Sequence, residues 1–174
     1  MRKVIVYCHG FCSSANTPKV DRLRAVKNSV VHAWDIDVDP LESLPYLFEK
    51  IDIDVMLNKL HEPCKVIFVG TSLGAWYAST LANAYGADAV LINPSYDPSS
   101  SLDKYGVSPL ICSRYFEISW NDRFKYFIAV DDEVIDFAPV RDKLDAVGAV
   151  FVENSDHRFN GPEFDAVIAA IDAM

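Results

Sequence analysis

The sequence lacks a long hydrophobic run at its start. The opening MRKVIVYCHG carries only a short apolar stretch, too short for a signal peptide or a membrane span, so a cytoplasmic protein without a membrane span is expected. Positive charge is also scarce, with 16 Lys and Arg against 25 Asp and Glu for a net charge of −9. Arg22, Arg24 and Lys27 are too few to make a basic patch, so long-range repulsion disfavours a nucleic acid partner. Only four cysteines occur, Cys8, Cys12, Cys64 and Cys112. The CHGFC pair has a spacing that zinc sites use, but no second close pair of cysteines or histidines completes a tetrahedron. No metal is therefore expected, and the thiols read as reduced. Seven glycines and nine prolines in 174 residues exclude fibrous and low-complexity chains. What remains is an ordinary globular composition, of a length that suggests one domain over residues 1–174.

Apolar runs alternate with helical spacing along this chain. KVIVYC (residues 3–8) reads as a buried strand ending at His9-Gly10. Thr17 and Pro18 read as the cap and first residue of a helix to about residue 27. SVVHAWDID is a shorter strand, and Leu47, Phe48, Ile51, Val55 and Leu60 form an amphipathic stripe over residues 45–60. KVIFVG is the third strand, with a helix over residues 73–85, and ADAVLIN and KYFIAV are the fourth and fifth. Asp136 is placed to cap a helix reaching about residue 147; AVFVE is the sixth strand, and residues 162–173 form the closing helix. Continuous rather than alternating apolar strands, interleaved with helices, predict an α/β fold: a mostly parallel six-stranded sheet covered on both faces. Residues 94–123 break the rhythm as a Pro/Ser-rich, aromatic excursion leaving the carboxyl end of the fourth strand, where α/β sheets bind ligands. A cap over a substrate site is expected there.

The chemistry concentrates in KVIFVGTSLGAWYAST, where a strand ends in Gly70-x-Ser72-x-Gly74 and a helix resumes at once. The five-residue pattern is weak alone, but at a sharp strand-to-helix turn glycines two before and two after a serine remove a collision and permit a strained backbone. Ser72 then projects from the sheet edge as a nucleophile, and the Leu73 amide, free of helical bonding, is an oxyanion donor. A serine hydroxyl needs a base. Only one of the four histidines follows Ser72, and it is His157, in VENSDHRF after the sixth strand. AVDDEVIDF offers the acid; Asp132 fits best by the Asp-x-Val pattern after a short turn, with Asp131 the alternative. In YCHGFCSS, Gly10 allows a tight turn and the Phe11 amide is the second oxyanion donor, with Cys12 the alternative. His9 is expected to hold this loop by a hydrogen bond, and His32 and His61 to be structural or solvated.

Taken in order, YCHGFCSS, GTSLGAWYA, LINP, DDEVIDF and DHRF resemble the small α/β-hydrolase esterases of the YqiA/YcfP type (UPF0227-like), over nearly the whole chain. The resemblance implies a compact α/β-hydrolase fold without the antiparallel strands that begin larger members. It also implies esterase or thioesterase activity without a cofactor, with Ser72, Asp132 and His157 at the triad positions. Asp131 stands where relatives often have glycine, so the choice of acid stays open.

The expected function is a serine carboxylesterase acting on a small-molecule acyl ester through an acyl-enzyme. Tyr96, Tyr105, Tyr115, Phe116 and Trp120 are candidates either to line an acyl pocket or to fill the core beneath the excursion. The alternatives are a thioesterase for acyl-CoA or acyl-carrier substrates, with Arg114 or Arg158 meeting the anion, and a non-catalytic binding protein on the same fold.

Overall fold

The computed structural model describes residues 1–56 and 62–174. Among them, six strands form one parallel sheet in the order β2-β1-β3-β4-β5-β6. These are β1 (Arg2–Cys8), β2 (Ser29–Ala33), β3 (Cys64–Thr71), β4 (Asp88–Ile92), β5 (Lys125–Ala129) and β6 (Val150–Val152). The crossovers carry α1 (Pro18–Arg24), α2 (Pro40–Ile51), α3 (Leu73–Tyr85), α4 (Pro98–Ser101), α5 (Pro109–Cys112), α6 (Arg141–Ala146) and α7 (Phe164–Ala173).

Strand side chains point alternately to opposite faces, and here both faces are covered. Val4, Val6, Cys8, Phe68, Leu91 and Ile128 join one core with residues of α2, α3, α6 and the excursion. Ile5, Tyr7, Val69, Val90, Ile92 and Phe127 join the other, beneath α1 and α7. That double burial is why the strands read as unbroken apolar runs.

The helix boundaries depart from the sequence reading by more than two residues in three places. Helix α1 ends at Arg24 rather than near residue 27, and Thr17, although at its cap position, makes no capping bond with its side chain. Helix α2 begins at Pro40, not Pro45: Asp39 Oδ1 accepts from the Leu41 amide at 3.0 Å, and Pro45 lies inside the helix. It continues as a π-helical turn, Asp52–Met56, while Leu60 and His61 lie outside the described residues. Asp136 Oδ1 takes the Ala138 amide at 2.9 Å, but this starts a 3₁₀ turn, Ala138–Val140, before α6.

The chain runs from β1 to β2 on one side and returns to β3 on the other, so the direction of winding reverses between β1 and β3. Open α/β sheets bind ligands at such a reversal, beyond the carboxyl ends of the strands. Cys8 pairs with Gly70, and Gly70 with Leu91, so the loops after β1, β3 and β4 leave from one level.

Candidate active site

Ser72 follows β3 directly and caps α3 at φ 53° and ψ −123°, a backbone conformation costing a non-glycine residue about 1–3 kcal/mol. Three backbone bonds hold it there. Its amide donates to Ile92 O at 3.0 Å, and its carbonyl accepts from the Ala75 and Ser95 amides at 3.0 Å each. The flanking glycines are sterically required. A Cβ on Gly70 would lie 2.3 Å from Gly74 O, and one on Gly74 would lie 2.1 Å from Cys8 O, where α3 presses on the end of β1.

His157 and Asp132 meet across the loops after β6 and β5. His157 Nδ1 lies 2.8 Å from Asp132 Oδ2 and 3.0 Å from Oδ1. Asp132 Oδ1 also accepts from the Val134 and Ile135 amides, each at 2.8 Å. A carboxylate with three N–H donors and a side chain only 2% exposed is fixed in place, and it holds the proton of His157 on Nδ1, which leaves Nε2 of the neutral ring without one. The His157 amide donates to Glu133 Oε2 at 3.0 Å. Asp131, the alternative acid, is exposed and lines a separate groove with Arg158 and Glu163.

Ser72, His157, Leu73 and Phe11 face one cavity of about 380 Å³, walled on the far side by Ser95, Tyr96, Leu102 and Tyr105. Ser72 Oγ makes no hydrogen bond to His157 among the described residues; free enzymes often carry such contacts long, and they tighten on substrate binding. Phe11 occupies a turn closed by Ser13 N to Gly10 O at 3.2 Å, with Cys12 at φ 55°. Among the described residues neither the Phe11 nor the Leu73 amide has an acceptor, so both are free to take one. Gly10 sits against Ser72, where a Cβ would stand 3.3 Å from Ser72 Cβ. The cavity wall carries Asp97 and Asp136 beside Lys104; burial alone would raise the Asp97 carboxyl, but the hydrogen bonds from Ser99 and Ser100 together keep it below its usual range. Tyr96 donates to Asp136 O at 3.2 Å, and burial together with Asp136 and Asp97 raises its hydroxyl pKa.

A sequence profile of the uncharacterised protein family UPF0227 matches residues 4–172. The chain belongs to UPF0227. A UPF0227 protein of Shewanella woodyi is 23% identical over 166 residues, covering 90% of this chain and 91% of the relative. Among solved structures, mouse alpha/beta hydrolase domain-containing protein 10 superposes with a TM-score of 0.68 at 14% identity, over 98% of this chain and 88% of that one. An alpha/beta hydrolase enzyme from the sediment metagenome of the Mar Chica lagoon, Morocco, gives 0.68 at 17% identity, over 98% and 90%. The fold of this UPF0227 chain is that of the α/β hydrolases.

The aromatic candidates divide. Tyr96 and Tyr105 line the cavity of the UPF0227 chain. Tyr115, Phe116 and Trp120 do not, which corrects their assignment to a pocket. Tyr115 is buried against Trp76 of α3, ring centroids 4.7 Å apart, and its hydroxyl bonds Tyr77 and Val38 O. Phe116 is half exposed, its carbonyl taking the Trp76 indole proton at 2.8 Å, and Trp120 donates to Glu117 at 2.9 Å. After α5, Tyr115 and Phe116 pack on Trp76 of α3, and Trp120 lies against Tyr96 and Tyr126.

His9 is buried, its Nε2 accepting the Ile36 amide at 2.9 Å while Nδ1 donates to Gly10 O at 2.9 Å, so its ring ties the turn to the segment after β2. His32 stacks on Trp34 at 5.5 Å. Burial pushes the Cys8 thiol up to about 12, and among the described residues no cluster of His, Cys, Asp or Glu could hold a metal ion. No helix among them is long and apolar enough to cross a membrane. One residue at the site carried no legible role in the sequence. Asn93, the residue after β4, is fully buried behind His157.

Proposed function

We propose that this UPF0227 protein is a serine hydrolase that cleaves small carboxylic esters through an acyl-enzyme. The observation that carries the reading is the strained Ser72 sharing one cavity with a histidine whose Nδ1 is locked onto a buried carboxylate. His157 Nε2 takes the Ser72 proton as Oγ attacks the ester carbonyl. The oxyanion that forms is met by the Phe11 and Leu73 amides; in another serine hydrolase the loss of one such donor cost about 2.7–4 kcal/mol. His157 then gives its proton to the leaving alkoxide as the C–O bond breaks. Water, deprotonated by His157, attacks the acyl-enzyme and releases the acid and free Ser72. Asp132 keeps its negative charge throughout and stabilises the imidazolium.

The excursion supplies the acyl-facing wall through Ser95, Tyr96, Leu102 and Tyr105, and a cavity of about 380 Å³ suits a short acyl group. Oxygen esters are favoured over acyl-CoA thioesters. Asp97 and Asp136 outnumber Lys104 among the charged residues that line the cavity, Arg114 is already paired with Asp39, and Arg158 lines the separate groove. The test is turnover of a series of p-nitrophenyl esters from acetyl to octanoyl, alongside matched acyl-CoA. Wild type should cleave the short oxygen esters, and Ser72→Ala should lose that activity. Ser72→Ala cleaving them as fast as wild type would place the chemistry elsewhere, and a folded wild type inert to all of them would favour a binding protein.

A further inference from the structure

We infer that Asn93 is a positioning residue for the proposed base, clamping the backbone of His157 to the end of the sheet; the inference rests on the hydrolase reading above. Asn93 leaves β4 in the left-handed region, φ 43°, where asparagine is tolerated far better than other residues with a side chain. Its own amide donates to Phe127 O at 2.9 Å. Its side chain is fully buried and every polar atom is used. Oδ1 accepts the Ala129 amide at 2.7 Å, on the last residue of β5. Nδ2 donates twice, to His157 O at 3.0 Å and to Asp156 O at 3.2 Å. One side chain therefore ties the turn bearing the base to the strand that leads into Asp132.

The donor pattern admits only an amide of this length. Two carbonyls and one N–H surround the group, so the site demands two donors and one acceptor. Aspartate matches the shape but sets a second carboxylate oxygen against two carbonyl oxygens. Leucine matches the volume and leaves all three backbone groups unpaired. Glutamine is longer by one methylene in a site with no exposed surface. The rest of the turn is held independently: Ser155 donates to Val152 O at 2.6 Å, and Phe159 is fully buried against Phe127. Losing the clamp should then shift the ring of His157 rather than unfold the loop.

The decisive variant is Asn93→Asp, which is expected to behave as a pH-dependent lesion. Burial and the facing carbonyls raise the pKa of the new carboxyl, so it is protonated at low pH and regains one donor, and loses it as pH rises. On a short p-nitrophenyl ester, kcat should fall about 10²-fold at alkaline pH, the scale of a misplaced reacting group, with KM little changed. The ratio of variant to wild-type kcat should climb back as pH falls. Asn93→Ala should show a similar loss with no recovery, in protein whose circular dichroism matches wild type. Wild-type kcat in either variant, or an Asn93→Asp ratio flat with pH, would overturn the inference. Should wild type itself fail to cleave any ester, the hydrolase reading has failed separately. The clamp is then judged by the NMR signal of the Nδ1 proton shared with Asp132: a shift or loss of it in Asn93→Asp upholds the clamp, and an unchanged signal refutes it.

Discussion

Replacing Asp132 by asparagine should invert the tautomer of His157, and the reason lies in which carboxylate oxygen is already taken. The Val134 and Ile135 amides both donate to Oδ1, each at 2.8 Å. An asparagine must put its carbonyl oxygen there, because its NH₂ cannot face two N–H groups. The NH₂ therefore falls in the place of Oδ2, 2.8 Å from Nδ1. Nδ1 then has to accept, so its proton moves to Nε2, and the nitrogen that should take the Ser72 proton already carries one. In a comparable triad this exchange lowered kcat by about 10⁴, which corresponds to ~5.4 kcal/mol of transition-state stabilisation. The amide preserves both backbone bonds and the volume, so the fold should survive. The assay is kcat on a short p-nitrophenyl ester, with thermal denaturation run in parallel. Asp131→Asn is the control and should be silent, since that side chain is exposed and faces away from His157. An Asp132→Asn protein that folds and keeps kcat within about tenfold of wild type would refute the tautomer reasoning, and a large loss in Asp131→Asn would move the acid to the neighbouring residue.

Three further outcomes follow from the packing and the charges. Gly74→Ala should fail to fold or lose more than the usual ~1–3 kcal/mol of overpacking, read by thermal denaturation, because its Cβ would meet both Cys8 O and His9 O within 2.4 Å; a native melting curve would contradict that contact. Tyr105→Ala should shift acyl preference toward longer chains while Phe116→Ala leaves it alone, since of the two only Tyr105 lines the cavity; equal effects would contradict the division. Burial outweighs the pull of Asp156 and Glu163 on Lys19 and lowers its pKa from 10.5 to about 8, so between those values the unfolded chain binds more protons and stability rises with pH. Relative to Lys19→Met, wild type should therefore gain in Tm across that window and be most handicapped below it, and a constant difference would contradict the burial argument.

Much of this was legible in the sequence, and the exceptions have physical reasons. Helix α3 was readable because the Gly-x-Ser-x-Gly turn fixes its start at Leu73 and Gly86 ends it in the left-handed region at φ 61°. Helix α2 was misplaced because Pro45 served as the start signal, whereas the acidic cap followed by proline, Asp39-Pro40, sits five residues upstream and Pro45 is carried inside the helix. Ser72 and His157 could be named from local spacing and chain order alone. Asp132 could be preferred over Asp131 only by pattern; it is the pair of amides on Oδ1 that sets it beside the imidazole. Asn93 stands in the quoted LINP, but its role was not legible because its side-chain partners lie 36 to 64 residues away, and no local pattern records bonds of that span. Tyr115, Phe116 and Trp120 misled because aromatic enrichment reports burial or contact without saying on which side of the chain.

The most direct test of the central claim is covalent. Folded wild-type protein is treated with a fluorophosphonate and the adduct is located by peptide mass spectrometry. A single phosphonyl group on Ser72, absent from Ser72→Ala and formed far more slowly in His157→Ala, is the predicted result. An unmodified Ser72, or a label carried equally by all three proteins, would contradict the account.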